Sequence, residues 1–105
     1  MKKIILFLCL FPLISFSQLN SIVSLTSLKP SIYRVSLYNQ TNLLIFEGDR
    51  ELLLIDAGYE QTAQRMKDTL NKYFKKNIKF IINTHWHYDH TGGNKLLGKK
   101  ALIIA

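Results

Sequence analysis

The 105 residues contain a single cysteine, Cys9. An intrachain disulfide is therefore impossible, and a cysteine-rich ligand set of the kind that structural zinc takes is excluded. Long hydrophobic runs are missing too. The longest apolar or near-apolar stretch, Ile4 to Phe16, spans 13 residues, short of the roughly 20 that cross a bilayer as a helix. No internal repeat and no low-complexity tract is present. What remains, 48% hydrophobic and 20% charged residues, is the profile of one small globular domain.

The opening residues read as a targeting segment rather than as part of that domain. Met1-Lys2-Lys3 precedes the apolar run, and Ser15-Phe16-Ser17 offers the small residues a signal peptidase reads. This predicts a signal peptide over 1–17 and a periplasmic or secreted protein, with no stable membrane anchor after its removal. Cys9 lies in the middle of the run behind the bulky Leu8, which disfavours a lipid-anchored cysteine. Removing the leader leaves no cysteine, and so no thiolate ligand or cysteine nucleophile.

The charge is mild once the leader is set aside: 14 Lys and Arg less Lys2 and Lys3 leaves 12 against 7 Asp and Glu. Lys72, Lys75, Lys76 and Lys79 account for much of it. They cluster at the end of a predicted helix, where cations oppose the dipole favourably. Nucleic acid is therefore not an expected partner, and a small-molecule substrate is. Nothing in the composition fixes an oligomeric state.

Residues 18–30 are rich in Ser, Thr and Asn and end in Pro30, an approach segment with room for one edge strand. From Ser31 the pattern is regular. Ile32, Tyr33, Val35, Leu37 and Tyr38 are strand formers, Asn39 to Asn42 reads as a turn, and Leu43 to Glu47 is a second strand. Gly48-Asp49 marks a hairpin into Glu51 to Ile55, whose continuous apolar run predicts burial on both faces. Between Glu60 and Phe74 the period changes: Ala63, Met66, Leu70 and Phe74 recur at helical spacing. Strand character returns over Lys79 to Asn83 and again at Leu102 to Ile104, read as the start of another buried strand that stops unfinished at Ala105. The expected fold is α/β, a mixed sheet with a covering helix, over residues 31–105.

All three histidines fall in Thr84-His85-Trp86-His87-Tyr88-Asp89-His90-Thr91-Gly92-Gly93, directly after a strand. His85 and His87 are two apart, so in extended geometry they face one side and can share an ion, with Trp86 directed away. Asp89 and His90, past the bend, can serve a neighbouring ion. Imidazole with carboxylate is the ligand chemistry of catalytic zinc. Trp86 and Tyr88 read as packing residues around the cluster, and Asn94 to Leu97 as a short helix starting at the site.

His85-x-His87-x-Asp89-His90 after an apolar strand, followed by Thr91-Gly92-Gly93-Asn94 and preceded by Leu54-Ile55-Asp56-Ala57-Gly58, resembles the metallo-β-lactamase superfamily over Ser31 to Ala105. The resemblance implies the N-terminal half of an αββα fold. It implies that His85 and His87 ligate a first zinc and Asp89 and His90 a second, two ions per complete site, with Asp56 orienting the loop from behind. The family pattern also draws on later ligands, and none follows His90 here, so the chain is expected to be an N-terminal part of such a site. His87 stands where the diiron flavoproteins of the family carry glutamate, which disfavours redox chemistry. His90 places the motif nearer the β-lactamase subclass with histidine there, glyoxalase II and lactonases, and the leader disfavours glyoxalase II.

The expected parent is a zinc-dependent, β-lactamase-like hydrolase in which water, its pKa lowered to about 7, attacks a lactam, lactone, ester or thioester carbonyl. Asp89 is the expected catalytic residue, holding the second metal and orienting the nucleophile. The alternative is a catalytically incomplete chain that only binds metal or does not fold stably alone.

Overall fold

The computed structural model describes residues 22–105; the predicted leader over 1–17, and residues 18–21 of the approach segment, lie outside the described residues. Strand β1 (Val23–Lys29) occupies one edge of the sheet and pairs antiparallel with β2 (Ile32–Leu37). Ser31, at φ 66°, turns the chain between them.

The next connection closes earlier than its composition suggests. Tyr38 and Asn39 both take left-handed conformations, at φ 52° and 55°, a geometry that matches the twist of the strands they join. The turn is therefore complete by Gln40, whose N–H donates to the Leu37 carbonyl at 3.0 Å. Thr41 and Asn42, read from sequence as turn, already belong to β3 (Thr41–Glu47), opposite Leu37 and Ser36. Gly48 then leads into β4 (Glu51–Ile55).

Beyond β4 the connectivity changes from hairpins to a crossover. A 3₁₀ turn (Glu60–Thr62) and helix α1 (Ala63–Tyr73) carry the chain back so that β5 (Asn77–Ile82) runs parallel to β4, as parallel pairing demands of its connection. Two short helices, α2 (Tyr88–Thr91) and α3 (Asn94–Leu97), precede β6 (Leu102–Ile104), parallel to β5. The result is one mixed six-stranded sheet in sequential order. Among the described residues no helix is long and apolar enough to cross a membrane.

One face of this sheet carries the core. Val35, Leu37, Leu43, Ile45, Leu52, Leu54 and Ile81 alternate along four strands, and α1 lays Ala63, Met66, Leu70 and Phe74 over them. At roughly 25 cal/mol per Å² of apolar area, each of these side chains other than Ala63 contributes about 1.5–3 kcal/mol relative to exposure. The helical period is thus the one read from sequence.

Two expectations of burial fail together. Leu53 and Ile55 on β4 are half-buried rather than buried, and β6 is exposed throughout, Leu102 to 60%. The physical reason is the same for both: helices cover only one face. Leu44, Phe46, Leu53, Ile55, Phe80 and Ile82 line the other, where no described element packs.

Candidate metal centre

The site lies at the C-terminal ends of the parallel strands, where open α/β sheets form their crevices. Its loop is held by backbone before any side chain acts. The Ala57 N–H donates to the His90 carbonyl at 2.8 Å, and the Gly93 N–H to the Gly58 carbonyl at 2.9 Å. Gly93 is required at that contact, because a Cβ there would collide with the Ala57 carbonyl. Asn83 and Asn94 close the far side by exchanging amide hydrogen bonds at 3.2 and 2.6 Å.

Asp56 is the centre of the side-chain network. It is 3% exposed and sits at φ 69°, a left-handed conformation that Asp tolerates better than most residues. Its Oδ1 accepts the Thr84 N–H, and its Oδ2 accepts both the Thr84 hydroxyl and His90 Nδ1, all at 2.8 Å.

Those bonds set the proton positions on two imidazoles. A hydroxyl carries one proton, and that of Thr84 is committed to Asp56. The 2.8 Å contact between Thr84 Oγ1 and His85 Nδ1 therefore has the imidazole as donor. In the neutral ring the lone pair then lies on Nε2, free for a metal. His90 follows the same rule directly, giving its Nδ1 proton to Asp56.

The structure brings one donor atom from each of His85, His87 and Asp89 within 4.8 Å of one another. His85 is packed against both other histidines, with ring centroids 4.6 Å from His87 and 4.1 Å from His90. His90 stands between two carboxylates, its Nε2 3.1 Å from Asp89 Oδ2. Asp89 thus reaches the His85 and His87 pair as well as His90. Two imidazoles and a carboxylate without cysteine are a donor set that fits a catalytic zinc.

Thr41 is the residue that sequence reading missed. It is 5% exposed and its hydroxyl donates to Asp89 Oδ2 at 3.0 Å. Burial pushes the Asp89 carboxyl up, but the Thr41 hydroxyl, the electrostatic influence of His90, the backbone N–H and that of His85 outweigh it, leaving the carboxyl lowered. No local signal marked Thr41, since its partner lies 48 residues along the chain.

The aromatic expectation needs correction. Trp86 is 83% and Tyr88 54% exposed, so neither is buried packing. The cause is that the loop carrying them stands at the surface, His85 and His87 included, and no described element covers it. Trp86 still lies 4.7 Å from the His87 ring, and Tyr88 donates to Gln61 Oε1 at 2.9 Å.

The chain is similar to known proteins. The chain is 38% identical over 81 residues to an (R)-specific secondary-alkylsulfatase of Pseudomonas sp, covering 73% of this chain and 12% of that protein. It is 33% identical over 89 residues to an alkyl/aryl-sulfatase of Saccharomyces cerevisiae, covering 81% and 14%. A subclass B3 metallo-β-lactamase of Bradyrhizobium japonicum superposes with a TM-score of 0.68 at 32% identity, covering 77% of this chain and 32% of that one. The chain thus spans well under half the length of each. Residues 38–102, which run from the β2–β3 turn through the histidine loop to β6, match the family model of the metallo-beta-lactamase superfamily, and to that superfamily the chain belongs.

Proposed function

We propose that the protein to which these residues belong is a zinc-dependent hydrolase of small molecules, with two ions in its complete site. The observation that carries this reading is the convergence of His85, His87 and Asp89, with the Nδ1 protons of His85 and His90 directed away from the site by Thr84 and Asp56. His85 and His87 hold the first ion, and Asp89 and His90 the second. Asp56 stands behind them as the group that orients both His85 and His90.

Zinc supplies Lewis-acid polarisation of the substrate and activation of water at neutral pH. The chain's own residues do the rest. Asp89 stays ionised through the Thr41 hydroxyl and the neighbouring imidazoles, so its carboxylate is available to orient the attacking water by accepting a hydrogen bond from it. The backbone bonds from Ala57 to His90 and from Gly93 to Gly58 hold the loop, so the proposed ligands are positioned ahead of substrate binding.

The substrate class is a lactam, lactone, ester or thioester. The two sulfatase relatives favour a second class, sulfate esters. We place the protein in the periplasm or outside the cell on the leader over 1–17. Alanine at His85 or His87 in the full-length protein is expected to abolish zinc content and hydrolysis of a panel holding one member of each class. Unchanged metal content and turnover would overturn the proposal.

A further inference from the structure

Thr41 has a second partner. Its Oγ1 lies 3.2 Å from the Tyr59 hydroxyl, a contact in which either group could donate. The choice is decided by Asp89. An ionised carboxylate only accepts, so the Thr41 proton is spent on Asp89 Oδ2 at 3.0 Å. Tyr59 must then be the donor. The order of donation is Tyr59 to Thr41 to Asp89, with each hydroxyl giving its one proton towards the site.

We infer that Tyr59 is a positioning residue for the Asp89 carboxylate, acting through Thr41. Without the Tyr59 hydroxyl, the Thr41 hydroxyl is released to rotate about its C–O bond, and the donor that pins Asp89 Oδ2 becomes one of several orientations. Tyr59 is itself fixed from two sides. Its ring lies 5.5 Å from Tyr38 and 6.1 Å from Tyr88, both edge to face. It also follows Gly58, whose φ of 73° and contact with Leu37 leave no room for a side chain. The phenol therefore links the β2–β3 turn, the end of β4 and the histidine loop at a single point.

A purely packing role for Tyr59 makes a different prediction. The two ring stacks need only the ring, and Tyr59→Phe keeps it. If the hydroxyl is idle, that substitution leaves the site unchanged.

The inference rests on the metal reading of His85, His87 and Asp89, and the test separates the two. Zinc affinity of the full-length protein is measured by competition with a chromogenic chelator for the native chain and for Thr41→Val, Tyr59→Phe, the double variant and His85→Ala. Thr41→Val is expected to weaken zinc binding about tenfold, in the range of lost outer-sphere partners. Tyr59→Phe is expected to weaken it about threefold, the size of a neutral hydrogen bond, with the thermal midpoint held. The double variant is expected to match Thr41→Val alone, because Tyr59 has nothing left to orient. Thr41→Ser, which keeps the hydroxyl, is expected to bind as the native chain does. Native affinity in Tyr59→Phe, or additive losses in the double variant, overturns the inference while a loss in His85→Ala leaves the metal reading standing. If His85→Ala binds zinc normally, the metal reading falls and this inference with it.

Discussion

Replacing Asp56 by Asn changes one oxygen to an amide nitrogen and leaves shape and volume alone, so its effect isolates the direction of the hydrogen bonds. Asn also tolerates the left-handed conformation that Asp56 adopts at φ 69°. Oδ1 can still accept the Thr84 N–H. At the Oδ2 position an acceptor of two protons becomes a donor, facing Thr84 Oγ1 and His90 Nδ1. Thr84 must then accept and turn its own proton towards His85 Nδ1, while His90 Nδ1 must accept as well. Both rings are driven to carry their proton on Nε2, the nitrogen a metal needs free.

The cost to folding is small, about 1–2 kcal/mol for charge-assisted bonds exchanged for neutral ones. The cost to the site is larger. One lost outer partner weakens metal binding by about 10 to 100-fold, and here two of the proposed ligands are affected, so a loss of about 100-fold or more is expected. Chelator competition reads the affinity, thermal melting reads the fold, and nitrogen-15 correlation spectra of the imidazoles read the tautomers. Zinc affinity within about threefold of native, or Nδ1-protonated His85 and His90 in the variant, would refute the reasoning.

Met66→Ala removes a side chain that is 1% exposed under α1 and is expected to cost about 2–5 kcal/mol in denaturant unfolding; a loss below about 1 kcal/mol would show that the helix does not cover the sheet as described. Gly93→Ala forces a Cβ onto the Ala57 carbonyl and is expected to cost about 1–3 kcal/mol, with weakened zinc binding because the loop shifts. The Asp89 carboxyl is lowered on folding, so its contribution to stability is present above the unfolded value near 3.9 and is lost as pH falls through the folded one. The stability gap between the native chain and Asp89→Asn is accordingly expected to be constant from pH 7 to about 5 and to shrink below about 4, followed by urea unfolding at each pH; a gap that widens on acidification would contradict it.

Much of the scaffold was legible because its signals are local. The spacing of Ala63, Met66, Leu70 and Phe74 lies within one helix, and the Glu51 to Ile55 strand is bounded by Gly48 and Asp56. The histidine loop was equally plain, since its six residues are contiguous. What stayed hidden depends on distant partners or on which surfaces are covered. Thr41 looked like turn because Asn39 and Asn42 flank it, and only the left-handed pair Tyr38 and Asn39 moved it into a strand facing Asp89. The apolar run at Leu52 to Ile55 spoke for burial on both faces, yet a hydrophobic side chain records an affinity for cover, not its presence. Trp86 misled in the same way.

The distances in sequence between the loop and the groups that aim it bear on when the site comes into being. The proposed ligands are near neighbours, but Asp56 grips Thr84 from 28 residues away and His90 from 34, and Thr41 reaches Asp89 across 48. Contacts of such separation carry the loop-closure entropy of the chain between them, which the contiguous histidine loop does not. A nascent or partly unfolded chain therefore displays the histidines without their orientation. On the proposed metal reading, the ligands are aimed only once the topology is closed.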